Sequence, residues 1–316
     1  MILLGERLND AVVYRAATSC TLGLSDLDGK HVITIEGIAE AGLTPVMRAF
    51  LDEGASQCGF CSPGFIVSLT AMFVEGGPID YRRALTAIEG NLCRCTGYGS
   101  IRKAADKLAK AYPVLPEDFP ARLDFLAEAG ILPRALAATM LNLPVPVGER
   151  SGATRTLGGG TDFFVQNPDP DIALVPGYTD QEPDAQRIRL EGDTIAVGSA
   201  VTMRDFFAAP EILAMAPGIG AFEEFIASLP IRNRATLAGN IANASPIADM
   251  TSILLALGAE VALADGSGKQ RRLPLADAFI GYKKLAFNEG ERIASIRLKA
   301  EPLRLSFEKV AKRAHL

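Results

Sequence analysis

The sequence predicts an α+β multidomain chain, and three observations carry that reading. With 316 residues, 48% of them hydrophobic, it is long for a single core and suits two or three. Residues 36–112 set apolar side chains at helical spacing in four segments with short connections. From residue 131 onward, strand-like and helical stretches alternate.

Taken in order, residues 1–35 read as a short β-rich piece, with strands around Val12-Val13-Tyr14 and over 31–35, too small to fold alone. Helices are expected over 44–53, through Val46 and Phe50, and over 64–73, through Phe65, Leu69, Met72 and Phe73. Two more follow over 81–89 and 100–111, with Asp80 and Ser100 as N-caps, and the four suggest a small bundle. Residues 113–130 read as a linker that turns helical near 123–129. Beyond it, strands are expected at 153–157, 171–175, 194–197, 260–263 and 292–298. Helices are expected at 133–140, 203–208 and 247–257, the first with Pro133 in its first turn.

A net charge of −5 speaks against a nucleic-acid partner, which asks for a basic face. No apolar run has the length to span a bilayer, and Met1 to Leu4, stopped by Glu6 and Arg7, is too short for a signal peptide. The expected compartment is cytoplasmic, where clustered cysteines are metal ligands more often than disulfides.

Four of the five cysteines form two close pairs, Cys58-Gly-Phe-Cys61 and Cys93-Arg-Cys95. Two thiolate pairs can complete one site. The one-residue gap in the second pair is unusual for structural zinc, and four thiolates without histidine suit a [2Fe–2S] cluster; from spacing alone both metals stay open. Ser62-Pro63-Gly64 and Thr96-Gly97-Tyr98 follow the pairs and put both near helix starts, where N–H groups and the dipole favour anions. Cys20 stands apart, and taken alone it reads as a small core residue.

Two further segments suit a phosphate-bearing ligand. Leu157, Gly158, Gly159, Gly160, Thr161, Asp162 and Phe163 follow a predicted strand, and their glycines permit close backbone approach to a diphosphate. Residues 231–249 are rich in small and hydrogen-bonding residues: Gly239 gives space, Thr236, Asn240 and Ser245 can bind phosphate or ribityl oxygens, and Asp249 can accept from hydroxyls.

The runs Gln57-Cys58-Gly59-Phe60-Cys61-Ser62-Pro63-Gly64 and Asn91-Leu92-Cys93-Arg94-Cys95-Thr96-Gly97-Tyr98 resemble the helical [2Fe–2S] domain of the xanthine dehydrogenase family of molybdenum hydroxylases. The segments at 157–163 and 231–249 resemble that family's FAD-binding domain, of the vanillyl-alcohol-oxidase type. The resemblance covers roughly residues 10–316 and implies domains at 36–112 ([2Fe–2S]) and 131–316 (FAD), with 1–35 the remnant of a ferredoxin-like β-grasp domain and both ends cut. It implies that Cys58, Cys61, Cys93 and Cys95 bind the cluster, that Gln57 and the Cys95 edge face a molybdenum cofactor in a partner, and that Cys20 descends from a first cluster whose other ligands are missing. It implies FAD contacts from 157–163, Thr236, Asp249 and the main chain of Ile293. The sequence departs from the family at Ile226, where some members carry an aromatic, and at Glu308, where they carry a lysine; the adjacent Phe225 and Lys309 are the substitutes. The implied function is electron transfer in purine hydroxylation: from a molybdenum-binding large subunit through the cluster to FAD and then NAD, in a heterotetramer of two small and two large subunits. An aldehyde or N-heterocycle as substrate, or a non-enzymatic zinc module, are the alternatives.

Overall fold

The computed structural model describes residues 1–8, 11–144, 155–168, 176–179 and 184–310. The chain divides into two compact units, one built mainly of residues 1–19 and 26–149, the other mainly of 20–25, 150–227 and 231–316.

In the first unit a small antiparallel sheet has the order β2-β1-β3, from β1 (Ile2–Leu8), β2 (Ala11–Ala17) and β3 (His31–Ile33). Ile35 does not extend β3 but opens α1 (Ile35–Ala39). The apolar opening of the chain is thus a strand: Leu3, Tyr14, Ala16 and Ile33 join the same core as the helices. Next come α2 (Pro45–Asp52), α3 (Ser62–Glu75), α4 (Tyr81–Ile88) and α5 (Gly99–Ala111). Every residue of α3 from Phe65 to Val74 is buried, which makes it the central helix, wrapped by elements on all sides. Asp80 caps α4 through Arg83 N at 2.7 Å. Ser100 does not cap α5; Tyr98 does, in the left-handed region at φ 66°, because Gly97 and Tyr98 both turn the chain with positive φ before the helix starts.

The segment read as a linker is part of this unit. It forms α6 (Phe119–Glu128), capped by Asp118, and buries Leu123 and Leu126 in the shared core. Arg122 is buried and donates to the carbonyls of Val74, Pro116 and Glu117, so it caps the C-terminal end of α3 and pins the segment to it. α7 (Arg134–Thr139) also packs here, and Pro133 is its N-cap rather than a first-turn residue.

In the second unit β4 (Arg155–Leu157) and β5 (Pro176–Tyr178) pair in parallel across α8 (Thr161–Gln166). The expected strand at 171–175 lies outside the described residues. β6 (Ile188–Glu191), β7 (Thr194–Gly198), β8 (Glu260–Ala264), β9 (Gln270–Pro274) and, after the β10 (Phe279–Gly281) and β11 (Lys284–Leu285) hairpin, β12 (Arg292–Lys299) supply the main sheet. It is antiparallel, in the order β6-β7-β12-β8-β9. Between β7 and β8 the chain forms α9 (Met203–Ala208), α10 (Pro210–Met215), α11 (Leu229–Arg232), α12 (Leu237–Ala242) and α13 (Asp249–Ala256), whose apolar residues share one core with the sheet.

Arg271 on β9 donates to both carboxylate oxygens of Glu291 at 2.7 Å, and Asn288 N donates to the same group. The Arg271 hydrogen bonds, then those of Asn288, pull the Glu291 carboxyl from its ordinary 4.5 down to about 2. A folded-state value below the unfolded one stabilises the fold above pH 4.5, and that contribution is lost as the pH falls from 4.5 towards about 2. Glu291→Gln is therefore expected to flatten the acid limb of the unfolding profile between those values; an unchanged profile would assign the acid sensitivity elsewhere.

Candidate functional site

The sequence motifs around the cysteines turn out to be braces for them. Cys61 is the N-cap of α3, and Cys93 and Cys95 sit in the turn before α5. Cys93 N donates to the Tyr98 hydroxyl at 3.0 Å, Tyr98 N donates to Thr96 Oγ1 at 3.2 Å, and Thr96 Oγ1 lies 3.1 Å from Cys93 Sγ. Asn91 donates to Ser68 on α3 at 2.8 Å, and a Cβ on Gly64 would lie 2.6 Å from its Oδ1, so the second motif packs against the first where only glycine leaves room.

The four sulfurs group two and two. Cys58 and Cys95 Sγ are 3.7 Å apart, and the thiols of Cys61 and Cys93 lie near enough to shift each other's ionisation. Among the described residues no three His, Cys, Asp or Glu side chains converge on one metal position. A tetrahedral zinc takes four ligands at one centre, whereas a two-iron cluster takes two thiolates at each iron; the two-and-two grouping of an all-cysteine donor set fits the cluster. The Thr96 hydroxyl, helped by Thr96 N–H, lowers the Cys93 thiol to about 7, while burial and the neighbouring Cys93 push Cys61 up to about 11. In the metal-free chain this pair thus holds its first proton loosely and its second tightly, and metal binding must displace the latter. Gln57 is exposed beside this group. Cys20 is exposed, not in a core: in its short turn, Ser19–Thr21, it is Thr21 that points inward.

In the second unit the two glycine-rich and small-residue segments meet. A Cβ on Gly158 would overlap Thr236 Oγ1, and one on Gly159 would overlap the Arg234 carbonyl oxygen. Gly159 is therefore required first by the chain itself. Gly160, at φ 72°, caps α8, whose first residues are Thr161, Asp162 and Phe163; Asp162 is occupied by Gln166, and Phe163 is half-buried against Phe164. Leu157 is buried below the loop. The Arg234–Leu237 segment is held from its other side by Met203 N to Ala235 O at 2.9 Å and Leu237 N to Val201 O at 3.2 Å.

Thr236 caps α12 by accepting from Gly239 N at 3.0 Å, which leaves its hydroxyl proton to donate outward. Asn240 is turned inward, accepting from Thr251 at 3.1 Å, and Ser245 accepts from Ile247 N at 3.5 Å. Asp249, Lys309 and Phe225 come together: Lys309 Nζ donates to Asp249 Oδ2 and to the Phe225 carbonyl, both at 2.8 Å. Residues 302–310 alternate between exposed and half-buried, which turns Glu308 outward and Lys309 inward; Ile226 is buried in the core. Ile293 lies at the β-bulge where β12 passes β8, a device that re-aims the local backbone. The buried hydroxyls of Thr179 and Ser199 have no hydrogen-bond partner among the described residues, which fits a polar ligand in this unit.

Arg232 belongs to this region although no sequence signal marks it. It is 1% exposed, donating to the carbonyls of Ile226 (3.0 Å) and Ala227 (2.7 Å) and pairing with Glu223 (3.1 Å), and so ties the Phe225 turn to the 231–239 segment. Arg232→Met is expected to cost about 3 kcal/mol by orphaning these acceptors. Urea unfolding checks it, and a loss below about 0.5 kcal/mol would contradict that role.

Residues 34–106 match the [2Fe-2S] binding domain family, and residues 145–299 match the family described as FAD binding domain in molybdopterin dehydrogenase. The two matched domains, with xanthine dehydrogenases among the relatives, support an iron–sulfur and FAD part of a molybdenum hydroxylase. Xanthine dehydrogenase 2 of Arabidopsis thaliana is 26% identical over 98% of this chain, which spans 28% of that protein's length. A probable xanthine dehydrogenase subunit of Bacillus subtilis (strain 168) is 38% identical over 30% of this chain and 56% of its own. Among solved structures, quinoline 2-oxidoreductase from Pseudomonas putida 86 matches at 22% identity over 51% of this chain and 56% of that one, with a TM-score of 0.46, too low to carry a fold argument.

Proposed function

We propose that this chain is the electron-transfer subunit of a xanthine dehydrogenase, taking electrons from a molybdenum centre in a partner subunit and delivering them to NAD during purine hydroxylation. The observation that carries the reading is the all-cysteine, two-and-two sulfur group of one unit joined in a single polypeptide to the flavin-type loops of the other. Cys58, Cys61, Cys93 and Cys95 are the cluster ligands in this reading. The loop from Leu157 to Phe163 with Thr236, Gly239, Ser245, Asp249, Ile293 and Lys309 holds FAD; Asn240 acts from behind, through Thr251. When bound, the cluster supplies one-electron chemistry and FAD the junction between one- and two-electron steps. No side chain here need act on the purine. The chain's own work is to hold, orient and shield.

Phe60, between Cys58 and Cys61, and Leu92, just before Cys93, are 93% and 83% exposed. Apolar side chains so placed support a surface covered by a partner, here the molybdenum-binding large subunit, in a heterotetramer of two chains of each kind. Among the described residues no helix is long and apolar enough to cross a membrane. The proposed compartment is the cytoplasm, where the four cysteines stay reduced and free to bind metal. The test is co-expression with candidate large subunits and an assay of NAD reduction. Xanthine or hypoxanthine turnover supports the reading. Turnover of an N-heterocycle or aldehyde alone would move it to a sister enzyme. That second reading draws support from nicotinate hydroxylase hnxS of Emericella nidulans, 27% identical over 87% of this chain.

A further inference from the structure

The two outward thiols of the sulfur group form a pair of their own. Cys58 and Cys95 are exposed with sulfurs 3.7 Å apart, whereas Cys61 is half-buried and Cys93 buried. A disulfide of ~2.05 Å would need the sulfurs to close by roughly 1.7 Å. The backbone at both positions can yield. Neither cysteine lies in a helix, Gly59 (φ 83°) follows Cys58, and Gly97 (φ 63°) lies just beyond Cys95. A Cβ at either glycine would find nothing nearer than 4.0 Å, so the space beside these two glycines is open.

We propose that in the cluster-free chain Cys58 and Cys95 are an oxidation-sensitive pair that closes to a disulfide under peroxide, and that this bond bars cluster insertion until a thiol reductant reopens it. One thiolate attacks the O–O bond of hydrogen peroxide, forming a sulfenic acid and releasing the other oxygen as water. The second thiolate then attacks that sulfur and the sulfenic oxygen leaves as a second water. Two thiols lose two electrons and two protons, and one peroxide becomes two waters. The bond joins the two motifs across their gap in sequence and removes one sulfur from each, leaving Cys61 and Cys93 alone, too few to hold two irons. Cys93 is buried and Cys61 half-buried, so peroxide arriving from solution meets the outward pair first.

The insertion half rests on the cluster assignment; the cross-link itself does not, and the experiment separates them. The full chain is stripped of iron by a chelator without oxygen, treated with one equivalent of hydrogen peroxide, alkylated and digested without reduction. The expected major product is a peptide linking Cys58 to Cys95, formed equally in Cys20→Ser and absent from iron-loaded chain. Uptake of iron and sulfide should fail before dithiothreitol and recover after it. Full alkylation of Cys58 and Cys95 after peroxide, dominant links to Cys20 or Cys61, or iron uptake with the bond intact would each overturn the proposal. A reduced chain that never takes iron counts against the cluster ligands and not against the cross-link.

Discussion

Cys93→Ser is expected to leave the purified chain without iron and without visible iron–sulfur absorption. Cys93 is the buried member of the four, its sulfur placed by Thr96 and its backbone N–H by Tyr98, so it is the least able to be replaced by movement of a neighbour. Partners that merely orient ligands already cost ~10–100-fold in metal affinity when removed, and loss of a ligand costs more. Because binding free energy is folding free energy, the first unit should also melt earlier. Cys20→Ser is the control: its thiol is exposed and outside the group, and iron content should not change. Wild-type iron in Cys93→Ser would remove that residue from the ligand set.

Gly159→Val should abolish flavin retention, for a reason the sequence alone does not reveal. The run of three glycines suggests backbone laid against a diphosphate. In the fold, the missing side chain of Gly159 faces the Arg234 carbonyl, with Ala235 N only 3.1 Å from where a Cβ would stand. Main chain cannot swing aside as a flexible side chain can, so the loop at 158–160 must part from the segment at 234–239. Overpacking of this kind costs about 1–3 kcal/mol, and a backbone obstacle puts it at the upper end. At about 2–4 °C per kcal/mol the melting of the second unit should fall by about 6–12 °C. Gly266, exposed and with nothing within 4 Å of a Cβ, supplies the control Gly266→Ala, which should change neither flavin content nor melting. Retained flavin in Gly159→Val would take this loop out of the site.

What the sequence discloses follows from how local each signal is. Asp80 as a cap, Pro63 near the start of α3 and the helices over 36–112 depend on neighbours a few residues away, and their bounds agree with the fold to within a residue or two. The cysteine pairs are legible for the same reason. The segment at 113–130 resembles a linker because proline and charge at its start hide an amphipathic helix whose anchor, Arg122, reaches back to the end of α3. Arg232 is invisible in the sequence because arginine is seldom buried, and what satisfies it are carbonyls set by a turn rather than by a motif. Lys309 is separable from Glu308 only by the alternation of an extended segment with no regular partner strand among the described residues. The opening strand β1 needs β2 and β3 on either side to declare itself.

In the proposed reading the four sulfurs of Cys58, Cys61, Cys93 and Cys95 hold two irons. The most direct measurement is iron, acid-labile sulfide and zinc in chain prepared without oxygen. The expected result is two irons and two sulfides per polypeptide, with little zinc. One zinc per polypeptide and no sulfide would show that these cysteines hold no cluster, whatever the flavin content.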